Sequence, residues 1–342
     1  MTNIAVVGCG YWGPNLVRTI EQLEGTKLAL CCDRDESRLK QITDRFPHVA
    51  TTRELDDVLN SDVIDAVILA TPVRTHYELG MKVLNHGKHL LVEKPLATTA
   101  AECQDMIDAA FRDKLTLMAG HLYYYHAAVA KIKEIIDSGA LGEVRHIYSE
   151  RLNLGRFQID VNAMWSLGPH DVSLAMYLLG ESPVEVSATG SAILNEGIED
   201  IVFMEMRFPG GATANSRLSW LHPEKVRKLS VIGTRRMLVY DDTLNTDMVA
   251  LYDTGGDFSE MHPSGKKLYS QRTNKPTYPE IDLSMQPLAR ECAHFVNAIR
   301  TGTAPLSDGR NGMEVVRVLE HAQRSLETGR PVSMEPAGTL VS

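Results

Sequence analysis

The chain has 342 residues and carries 35 Lys and Arg against 44 Asp and Glu, which gives a formal net charge of −9 at pH 7. Its 44% hydrophobic and 23% charged residues are typical of a soluble globular protein and exclude a disordered, collagen-like or coiled-coil chain. The length suits two domains, and the acidic balance argues against nucleic acid or a membrane surface as a partner.

The cysteines and the N-terminus predict a reducing compartment. The chain has 5 cysteines, an odd number, and no CxxC pair, a scatter typical of reduced, partly buried thiols. The N-terminus runs directly into the strand-like Asn3–Val7, without the basic start and apolar stretch of a signal peptide. No apolar run reaches the roughly 18 residues of a membrane span. We therefore expect a cytoplasmic protein.

Residues 1–120 alternate short apolar runs with longer helical segments. Strands are predicted at Ile4–Val7, Leu28–Cys32, Ala66–Ala70, His89–Val92 and Thr116–Ala119. Helices are predicted at Pro14–Leu23, Glu36–Phe46, Thr52–Leu59, Arg74–Asn85 and Ala100–Arg112. Because strands that are apolar on both faces are typical of a parallel sheet covered by helices, we expect an α/β, doubly wound Rossmann domain here.

Residues 121–342 have a different pattern, and we expect a second, α+β domain with a largely antiparallel sheet. Helices are predicted at Ala127–Asp137, Trp165–Leu179, Pro287–Thr301 and Gly312–Gly329. Strands are predicted at Glu143–Asn153, Val184–Leu194, Asp200–Phe208, Ala212–Trp220, Val226–Ile232 and Met237–Asp241. Turns such as Pro209–Gly211 favour antiparallel neighbours. The polar stretch Asp253–Pro279 predicts a surface loop, and the last helices have the option of packing back on the first domain.

A glycine-rich loop joins the first strand to the first helix. Gly8-Cys9-Gly10-Tyr11-Trp12-Gly13 has the spacing GxGxxG, in which the glycines permit a tight turn, close approach to a pyrophosphate, and packing of helix on strand. The helix N-terminus offers N–H groups and a positive dipole end to the phosphates. These features predict cofactor binding by Gly8, Gly10, Tyr11, Trp12 and Gly13.

An acidic residue at the end of the second strand indicates which dinucleotide binds. Asp33 lies 20 residues beyond Gly13, where a carboxylate accepts both hydroxyls of an adenosine ribose and repels a 2′-phosphate. This favours NAD over NADP. Arg34 either stacks on the adenine or pairs with a 2′-phosphate, and Arg34 and Arg38 are also consistent with solvated arginines at a helix start.

Three further segments carry a specific resemblance. Ala70-Thr71-Pro72 with His76 follows one strand, Val92-Glu93-Lys94-Pro95 ends another, and Trp165-Ser166-Leu167-Gly168-Pro169-His170-Asp171 begins a helix. With the glycine-rich loop, these motifs resemble the glucose–fructose oxidoreductase/inositol dehydrogenase/MocA (Gfo/Idh/MocA) family over nearly the whole chain. Gly10–Pro14 and Ser149–Asn153 further resemble its nucleotide-sugar 3-dehydrogenase branch. The resemblance implies a sugar, a cyclitol or a nucleotide-linked derivative as substrate.

The resemblance also implies roles for single residues. Thr71, Pro72 and His76 would line the nicotinamide end of the cofactor, and Glu93 would contact its ribose. Lys94 would face the substrate hydroxyl that becomes a carbonyl. His170 would be the general acid/base.

The chemistry of alcohol oxidation supports Lys94 independently. The reaction needs a proton acceptor at the oxygen and the nicotinamide at the carbon, and the protein places both. Exclusion of water and a positive nicotinamide ring both disfavour charge on Lys94, so it can accept the hydroxyl proton. Its cationic form can stabilise a developing alkoxide. The alternatives are a solvated charge pair for Glu93-Lys94 and a satisfied core histidine for His170.

The sequence departs from the family pattern at two positions. Family members usually carry an Asp four residues before this His, but Ser166 stands there, and it supplies no negative charge. Tyr123 stands where related enzymes often have arginine, and it either stacks on a pyranose ring or packs the two domains together. His121 is a further candidate substrate contact. Its spacing from His126 does not match the HExxH zinc motif, so no metal is expected.

Substrate recognition is expected on the second domain, near His170. The candidate residues are Arg151, Arg156, Asn162, Trp165 and Ser166. Two arginines suit bidentate binding of a diphosphate or a uronate carboxylate. The alternative is that both arginines are surface charges.

Together these observations predict an NAD(H)-dependent oxidoreductase that acts on a secondary hydroxyl or ketone of a sugar. The favoured position is C3 of a nucleotide-linked pyranose. Three alternatives stay open: a cyclitol or free glycoside dehydrogenase, an NAD-dependent glycosidase that uses transient 3-oxidation, and a non-catalytic NAD-binding regulatory protein. An antiparallel sheet with one face on helices leaves its other face open, which together with the resemblance favours a homodimer or homotetramer.

Overall fold

The computed structural model describes residues 1–155, 157–159, 161–253, 264–265 and 275–335. These residues form two compact units. The first unit contains residues 1–126 and 284–317, and the second contains the described residues of 127–283 and 318–342. Each unit is built around its own sheet.

The first unit contains a six-stranded sheet. Its strands are β1 (Thr2–Val7), β2 (Thr26–Cys32), β3 (Thr51–Thr52), β4 (Ala66–Leu69), β5 (His89–Glu93) and β6 (Leu117–Gly120). The order is β3-β2-β1-β4-β5-β6, and every neighbouring pair is parallel. The apolar side chains of the central strands are buried on both faces, as the continuous apolar runs predict. This arrangement confirms the doubly wound Rossmann fold.

Five helices of the first unit connect these strands. They are α1 (Gly13–Gln22), α2 (Glu36–Arg45), α3 (Leu55–Leu59), α4 (His76–Asn85) and α5 (Ala100–Arg112). α5 begins with a capping box, in which Thr99 and Glu102 each accept a backbone N–H of the other. Short 3-10 turns at Val73–Thr75 and Leu122–Tyr125 follow β4 and β6.

One predicted helix begins later than expected. The segment predicted as helical from Thr52 forms β3 first, because Thr51 and Thr52 pair with Cys31 and Cys32 of β2. The hydroxyl of Thr52 then accepts the backbone N–H of Glu54 at 3.1 Å, which ends the strand just before α3. The β-branched pair therefore extends the sheet instead of the helix.

The second unit contains an eight-stranded sheet and two long helices. The helices are α6 (Ala127–Asp137) and α7 (Ala163–Leu179). The strands are β7 (Val144–Leu154), β8 (Glu185–Ser191), β9 (Ile201–Arg207), β10 (Thr213–Ser219), β11 (Leu221–Gly233), β12 (Met237–Asp241), β13 (Val249–Tyr252) and β14 (Val332–Ser333). Their order is β13-β12-β11-β7-β10-β9-β8-β14, and α7 packs on β7, β9 and β10.

The second sheet is antiparallel except for one pair. β7 and β10 run parallel, with His146 opposite Thr213, and the other neighbouring pairs confirm the prediction of a largely antiparallel sheet. The intervening α7, β8 and β9 carry the chain back so that β10 enters beside β7 in the same direction. The predicted turn at Pro209–Gly211 joins β9 to β10, and Gly211 has a φ of +84° there.

The segment Ser284–Arg317 belongs to the first unit. It contains α8 (Pro287–Thr301), and α9 (Gly309–Thr328) begins within it. α8 packs on α1 and on the 3-10 turn Leu122–Tyr125. Between the two helices, Ser307 accepts the backbone N–H of Ala119 at 2.8 Å and donates its hydroxyl to the Ala119 carbonyl at 2.7 Å. These bonds hold the segment against the end of β6.

Three observations concern residue classes that the sequence raised. All five cysteines are buried thiols without a disulfide partner. Among the described helices, none has the length and hydropathy to cross a bilayer. Within the same residues, His, Cys, Asp and Glu side chains form no group of three or more that is placed to hold a metal ion. Most of the predicted loop Asp253–Pro279 lies outside the described residues.

Candidate active site

The glycine-rich loop lies at the carboxyl edge of the first sheet, between β1 and β4. A Cβ on Gly8, whose φ is +98°, would lie 2.6 Å from the carbonyl carbon and oxygen of Ala70. A Cβ on Gly13 would lie 2.2 Å from the carbonyl oxygen of Gly8. Both positions therefore require glycine, and the backbone they shape leads into the N-terminus of α1. This is the cradle that a dinucleotide pyrophosphate needs.

Asp33 holds this loop in place. Its Oδ2 accepts the backbone N–H of Cys9 at 2.7 Å, and its Oδ1 accepts the N–H of Asp35 at 2.9 Å. Arg38 lies 3.5 Å from Asp33 Oδ2, and its guanidinium lies 3.4 Å from where a Cβ of Gly10 would be. Arg34 is exposed, as is Tyr11, whose side chain is 83% exposed.

His76 ties together the loops that follow β4 and β5. Its Nδ1 lies 2.9 Å from the carbonyl oxygen of Pro95, and its Nε2 lies 2.8 Å from that of Thr71. A neutral imidazole has one N–H, so it donates to one of these carbonyls. Burial lowers the pKa of His76. The side chain is 1% exposed, so His76 fixes the ends of two strands, while Pro72 beside it is exposed.

Lys94 follows β5 directly and affects several titratable groups of the first unit. Burial, together with the smaller effect of the Lys94 charge, lowers the pKa of His121 to about 3. Burial raises the pKa of Glu93 to about 7 although the Lys94 ammonium opposes this shift. Lys94 also contributes to the lowered pKa of His76. The charge of Lys94 thus lowers the pKa of three titratable groups at one sheet edge.

His121 is buried beside this cluster. Both of its ring nitrogens lack a hydrogen-bond partner within the described residues, and its side chain is 1% exposed. Its ring packs at 5.7 Å from the ring of Tyr124. Tyr123, on the same 3-10 turn, is half-buried. His121 is therefore a neutral imidazole at neutral pH.

In the second unit, α7 carries the other predicted site residues. Asn162 caps α7 by accepting the N–H of Trp165 at 3.1 Å, and its amide donates to Glu199 and Gln323. Trp165, Ser166 and His170 are half-buried along the helix. The hydroxyl of Ser166 accepts a hydrogen bond from Gln158 Nε2 at 3.0 Å.

Arg151 forms a buried ion pair. Its Nε and Nη2 donate to Oδ1 of Asp171 at 3.1 and 2.9 Å, and the two side chains are 7% and 3% exposed. The pair joins β7 to α7 directly beside His170. Arg156, the second arginine of the predicted substrate contact, lies outside the described residues.

Sequence reasoning missed Glu291 of the first unit and Gln158 of the second, and it considered Arg38 and Asp171 without finding their partners. Glu291 lies on the buried face of α8, a face that the helical spacing of Leu288, Cys292 and Phe295 indicates. The contacts of Arg38, Asp171 and Gln158 had no signal in the sequence, because each contact depends on the fold of a loop or on a pairing between elements.

Family models match most of the chain. One, an oxidoreductase family with an NAD-binding Rossmann fold, matches residues 2–121. The other, a Gfo/Idh/MocA C-terminal domain, matches residues 129–239. These matches confirm the resemblance found in the sequence.

Two curated relatives match part of the chain. An uncharacterized oxidoreductase from Streptococcus pneumoniae is 31% identical over 61% of this chain and 60% of the relative. A 2,7-anhydro-N-acetylneuraminate hydratase from Escherichia coli is 29% identical over 64% of this chain and 62% of the relative. The chain thus spans about three-fifths of the length of these two relatives.

A solved structure shows the fold over nearly the whole length. The UDP-N-acetylglucosamine 3-dehydrogenase GnnA from Acidithiobacillus ferrooxidans has a TM-score of 0.81 and 24% identity, and the match covers 95% of this chain and 97% of that chain. At this identity the likeness concerns the fold. Together with the two family models, it leads to one conclusion: the chain belongs to the Gfo/Idh/MocA family of oxidoreductases, and its first unit is that family's NAD-binding Rossmann domain.

Proposed function

We propose that this protein transfers a hydride between NAD(H) and a secondary hydroxyl or ketone of a sugar, at C3 of a nucleotide-linked pyranose. The observation that carries the proposal is the place of Lys94. It follows β5 at the carboxyl edge of the sheet, the edge at which open α/β folds bind their ligands. Its charge acts there on Glu93, His76 and His121.

The residues of the first unit fit a dinucleotide. The glycine cradle at Gly8 and Gly13 and the start of α1 would hold the pyrophosphate, and Asp33 would hold the adenosine ribose. Thr71 and Pro72 follow β4 and Glu93 ends β5, at the sheet edge where the nicotinamide half would lie. NAD, when bound, supplies the hydride acceptor or donor.

The chain's own residues manage the proton. Lys94 would accept the proton of the substrate hydroxyl, or in its charged form stabilise the alkoxide oxygen. His121 stays neutral near Lys94, so it adds no positive charge that would compete with this function. On α7, His170 would act as a general acid/base, and the ion pair of Arg151 and Asp171 fixes the helix next to it.

The substrate class is supported by the motifs that resemble nucleotide-sugar 3-dehydrogenases and by the fold shared with a solved member of that class. Trp165 and Tyr123 keep partly exposed aromatic rings, which suit the faces of a pyranose. Because Arg151 forms an ion pair with Asp171, we assign it the role of positioning α7 rather than of contacting the substrate. A cyclitol or a free glycoside is the alternative substrate within the same chemistry.

A substrate panel tests the proposal. The purified protein is incubated with NAD⁺ and nucleotide sugars, free glycosides or inositols, and NADH is followed by absorbance. We expect one nucleotide-sugar class to give NADH and a 3-keto product identified by mass spectrometry and NMR. Turnover of an inositol or free glycoside alone would move the assignment to that substrate, and no turnover or product in any class would contradict it.

A second candidate function uses the same residues without net oxidation. A relative that is 29% identical is named a hydratase, a reaction without net redox change. Transient oxidation at C3, elimination of the leaving group, addition of water to the resulting enone and reduction of the C3 ketone would likewise leave NAD unchanged and would fit an NAD-dependent glycosidase. A substrate that is converted without NADH release, but only when NAD⁺ is present, would favour this candidate.

We include self-association in the proposal. α7 covers one face of the second sheet, and the other face bears Tyr148 and Phe203, which are 53% and 51% exposed. Glu150 and Arg217 form an ion pair on that face, beside a groove of about 530 Å³. Because interfaces between copies of one chain combine apolar and charged residues, we expect a second copy of this chain to bind this face. Light scattering should give a dimer or tetramer mass, and Phe203→Glu should reduce it; a monomeric wild-type protein would contradict this.

A further inference from the structure

Glu291 is an anomalous residue on a helix whose inner face is otherwise apolar. It shares the buried face of α8 with Leu288, Cys292 and Phe295, and it is 0% exposed. Neither of its carboxyl oxygens has a hydrogen-bond partner within the described structure. Glutamates are almost never fully buried without a partner, because the desolvated group costs free energy. A residue retained in this state calls for a function.

The carboxyl group that interacts with Glu291 is that of Glu93. Glu93 ends β5 opposite Gly120, and its Oε2 lies 3.3 Å from the position where a Cβ of Gly120 would be. α8 packs on the 3-10 turn that follows Gly120 and on α1. The absence of a side chain on Gly120 therefore leaves the space that the Glu93 carboxyl occupies.

Glu93 is the charged group that acts on the Glu291 carboxyl. Burial raises the pKa of Glu291 well above its usual range, and the charge of Glu93 raises it further. The Cys292 thiol has a raised pKa because of burial and then of both carboxyls. The other ionisable groups on the elements packed against α8 are Arg18, Glu21, Tyr123, Tyr124 and Tyr125. Among the described groups, only Glu93 contributes charge to the pKa of Glu291.

Two acids in one poorly solvated place cannot both be charged at neutral pH. The charge and the backbone of Lys94 favour ionisation of Glu93, whereas no cation or hydrogen bond favours ionisation of Glu291 within the described residues. The pair therefore holds at most one negative charge, and Glu93, with its pKa of about 7, is the acid that ionises first. The proton stays on Glu291.

We propose that Glu291 is a positioning residue that acts as an uncharged carboxylic acid and confines a single negative charge to Glu93, beside Lys94. The inference rests on the proposed function for the part that Lys94 plays. A second negative charge at this edge would attract the ammonium of Lys94 and hold it protonated, which works against proton acceptance. An apolar residue at position 291 would remove the uncharged acid that interacts with the Glu93 carboxyl. Both changes would alter the electrostatic environment of Lys94, the residue that accepts the proton in the proposed function.

The proton on Glu291 is measured without reference to activity. Infrared spectroscopy of the full-length protein at about pH 8.5, above the pKa of about 7 of Glu93, should show a carboxylic-acid C=O band that Glu291→Gln removes and that Lys94→Met leaves in place. Glu314→Gln is the matched control, because Glu314 is also a buried glutamate of the first unit but is paired with Arg317 at 2.7 Å. This control should keep the band. A Glu291→Gln protein with an unchanged spectrum would overturn the proposal.

Kinetics and stability separate positioning from packing. Glu291→Leu should unfold at the same or a higher temperature than the wild type, because an unpartnered buried acid is removed, yet its kcat should fall by about 10-fold or more. Glu291→Gln should restore most of the kcat and extend activity to higher pH, since it cannot ionise. Wild-type kcat and pH profile in Glu291→Leu would overturn the positioning role. If Glu291→Leu does not fold, the infrared band and the pH profile of Glu291→Gln decide.

These outcomes distinguish the inference from the proposed function. If Lys94→Met keeps full turnover while the infrared band is lost in Glu291→Gln, the proton on Glu291 is established and the assignment of Lys94 fails. If Lys94→Met loses turnover and the band is absent in the wild type, the assignment of Lys94 holds and the inference about Glu291 fails.

Discussion

The backbone N–H of Cys9 donates a 2.7 Å hydrogen bond to Oδ2 of Asp33, so the acid expected to bind the adenosine ribose also fixes the loop expected to hold the phosphates. Asp33 closes β2 and Cys9 follows β1, and these are neighbouring parallel strands. One carboxylate thus couples the two halves of the dinucleotide site. Arg38 lies 3.5 Å from the same oxygen, and its positive charge partly offsets the negative charge of the carboxylate.

Asp33→Asn is expected to weaken NAD⁺ binding by about 10-fold, because the amide no longer offers a charged acceptor to the ribose hydroxyls. Affinity for NADP⁺ should fall less or rise, since repulsion of the 2′-phosphate disappears. Titration of protein fluorescence with both dinucleotides measures this. Asp44→Asn, which alters an exposed carboxylate paired with Lys40, is the control and should change neither affinity. Tighter binding of NADP⁺ than NAD⁺ by the wild type would assign cofactor choice to Arg34 and Arg38.

His121 should make the fold sensitive to acid. Its pKa is lowered from 6.5 to about 3 in the folded protein, mainly by burial. The unfolded chain binds this proton below about pH 6.5 and the folded chain does not, so the free energy of unfolding falls as the pH drops from about 6.5 towards 3. The full shift corresponds to about 5 kcal/mol at most.

The variant His121→Asn isolates this contribution. Urea unfolding between pH 4 and pH 7 should show a shallower acid-side loss of stability than in the wild type. Glu93, with its pKa raised to about 7, has the opposite slope, since stability from this group falls as the pH rises from about 4.5 to 7. The comparison of variant with wild type removes that contribution. His86→Asn, at an exposed histidine, is the control. Equal slopes for all three proteins would contradict a neutral buried His121.

The fold of the first unit was predictable because its strands are apolar on both faces. That pattern predicted a parallel, doubly wound sheet. It also predicted that Gly8, Asp33 and Lys94 lie just beyond strand ends, and the structure has them there. The two-residue strand β3 left no such pattern, because it forms by pairing Thr51 and Thr52 with β2. β14 is equally short and pairs with β8 from the far end of the chain.

The side-chain partners were less predictable than the elements. Arg151 was expected to contact substrate, and its pairing with Asp171 joins a strand to a helix 20 residues later, which no local spacing reveals. Glu291 is different, because its place on the apolar face of α8 follows from helical periodicity. The sequence therefore shows that a carboxyl is buried there, while its coupling to Glu93 depends on how α8 packs within the first unit.

Arg151→Met is expected to reduce the free energy of unfolding by about 3 kcal/mol or more, because it leaves Asp171 charged and buried without its partner. The double variant Arg151→Met/Asp171→Leu should recover most of the loss, since no uncompensated charge remains. Urea unfolding of the wild type and the three variants, including Asp171→Leu alone, gives the coupling energy. A stable Arg151→Met protein whose KM alone rises would instead place Arg151 at the substrate.

Ser166→Asp is expected to leave the fold and NAD⁺ affinity intact and to move the acidic limb of the pH–rate profile to higher pH. The introduced carboxylate would lie one helical turn from His170 and stabilise the protonated imidazole. In the wild type, Ser166 accepts a hydrogen bond from Gln158 and brings no charge. The rate should change between a few-fold and roughly 10²-fold.

His170→Ala is the companion measurement for that profile. If His170 is the general acid/base, this variant loses the acidic limb altogether. Wild-type rate and pH dependence in His170→Ala would remove His170 from the chemistry and leave Lys94, or a tyrosine such as Tyr123, to handle the proton.

The most direct test of the account is turnover by Lys94→Met, which keeps the aliphatic stem and removes the amine. NAD⁺ affinity should stay within about 3-fold of the wild type, because the glycine cradle and Asp33 are unchanged, while kcat should fall by roughly 10²-fold or more. Lys82→Met, at an exposed lysine paired with Glu78, is the matched control and should retain full kcat. Loss of kcat with NAD⁺ binding preserved is the predicted result, and near-normal kcat in Lys94→Met would contradict the assignment of the chemistry to this sheet edge.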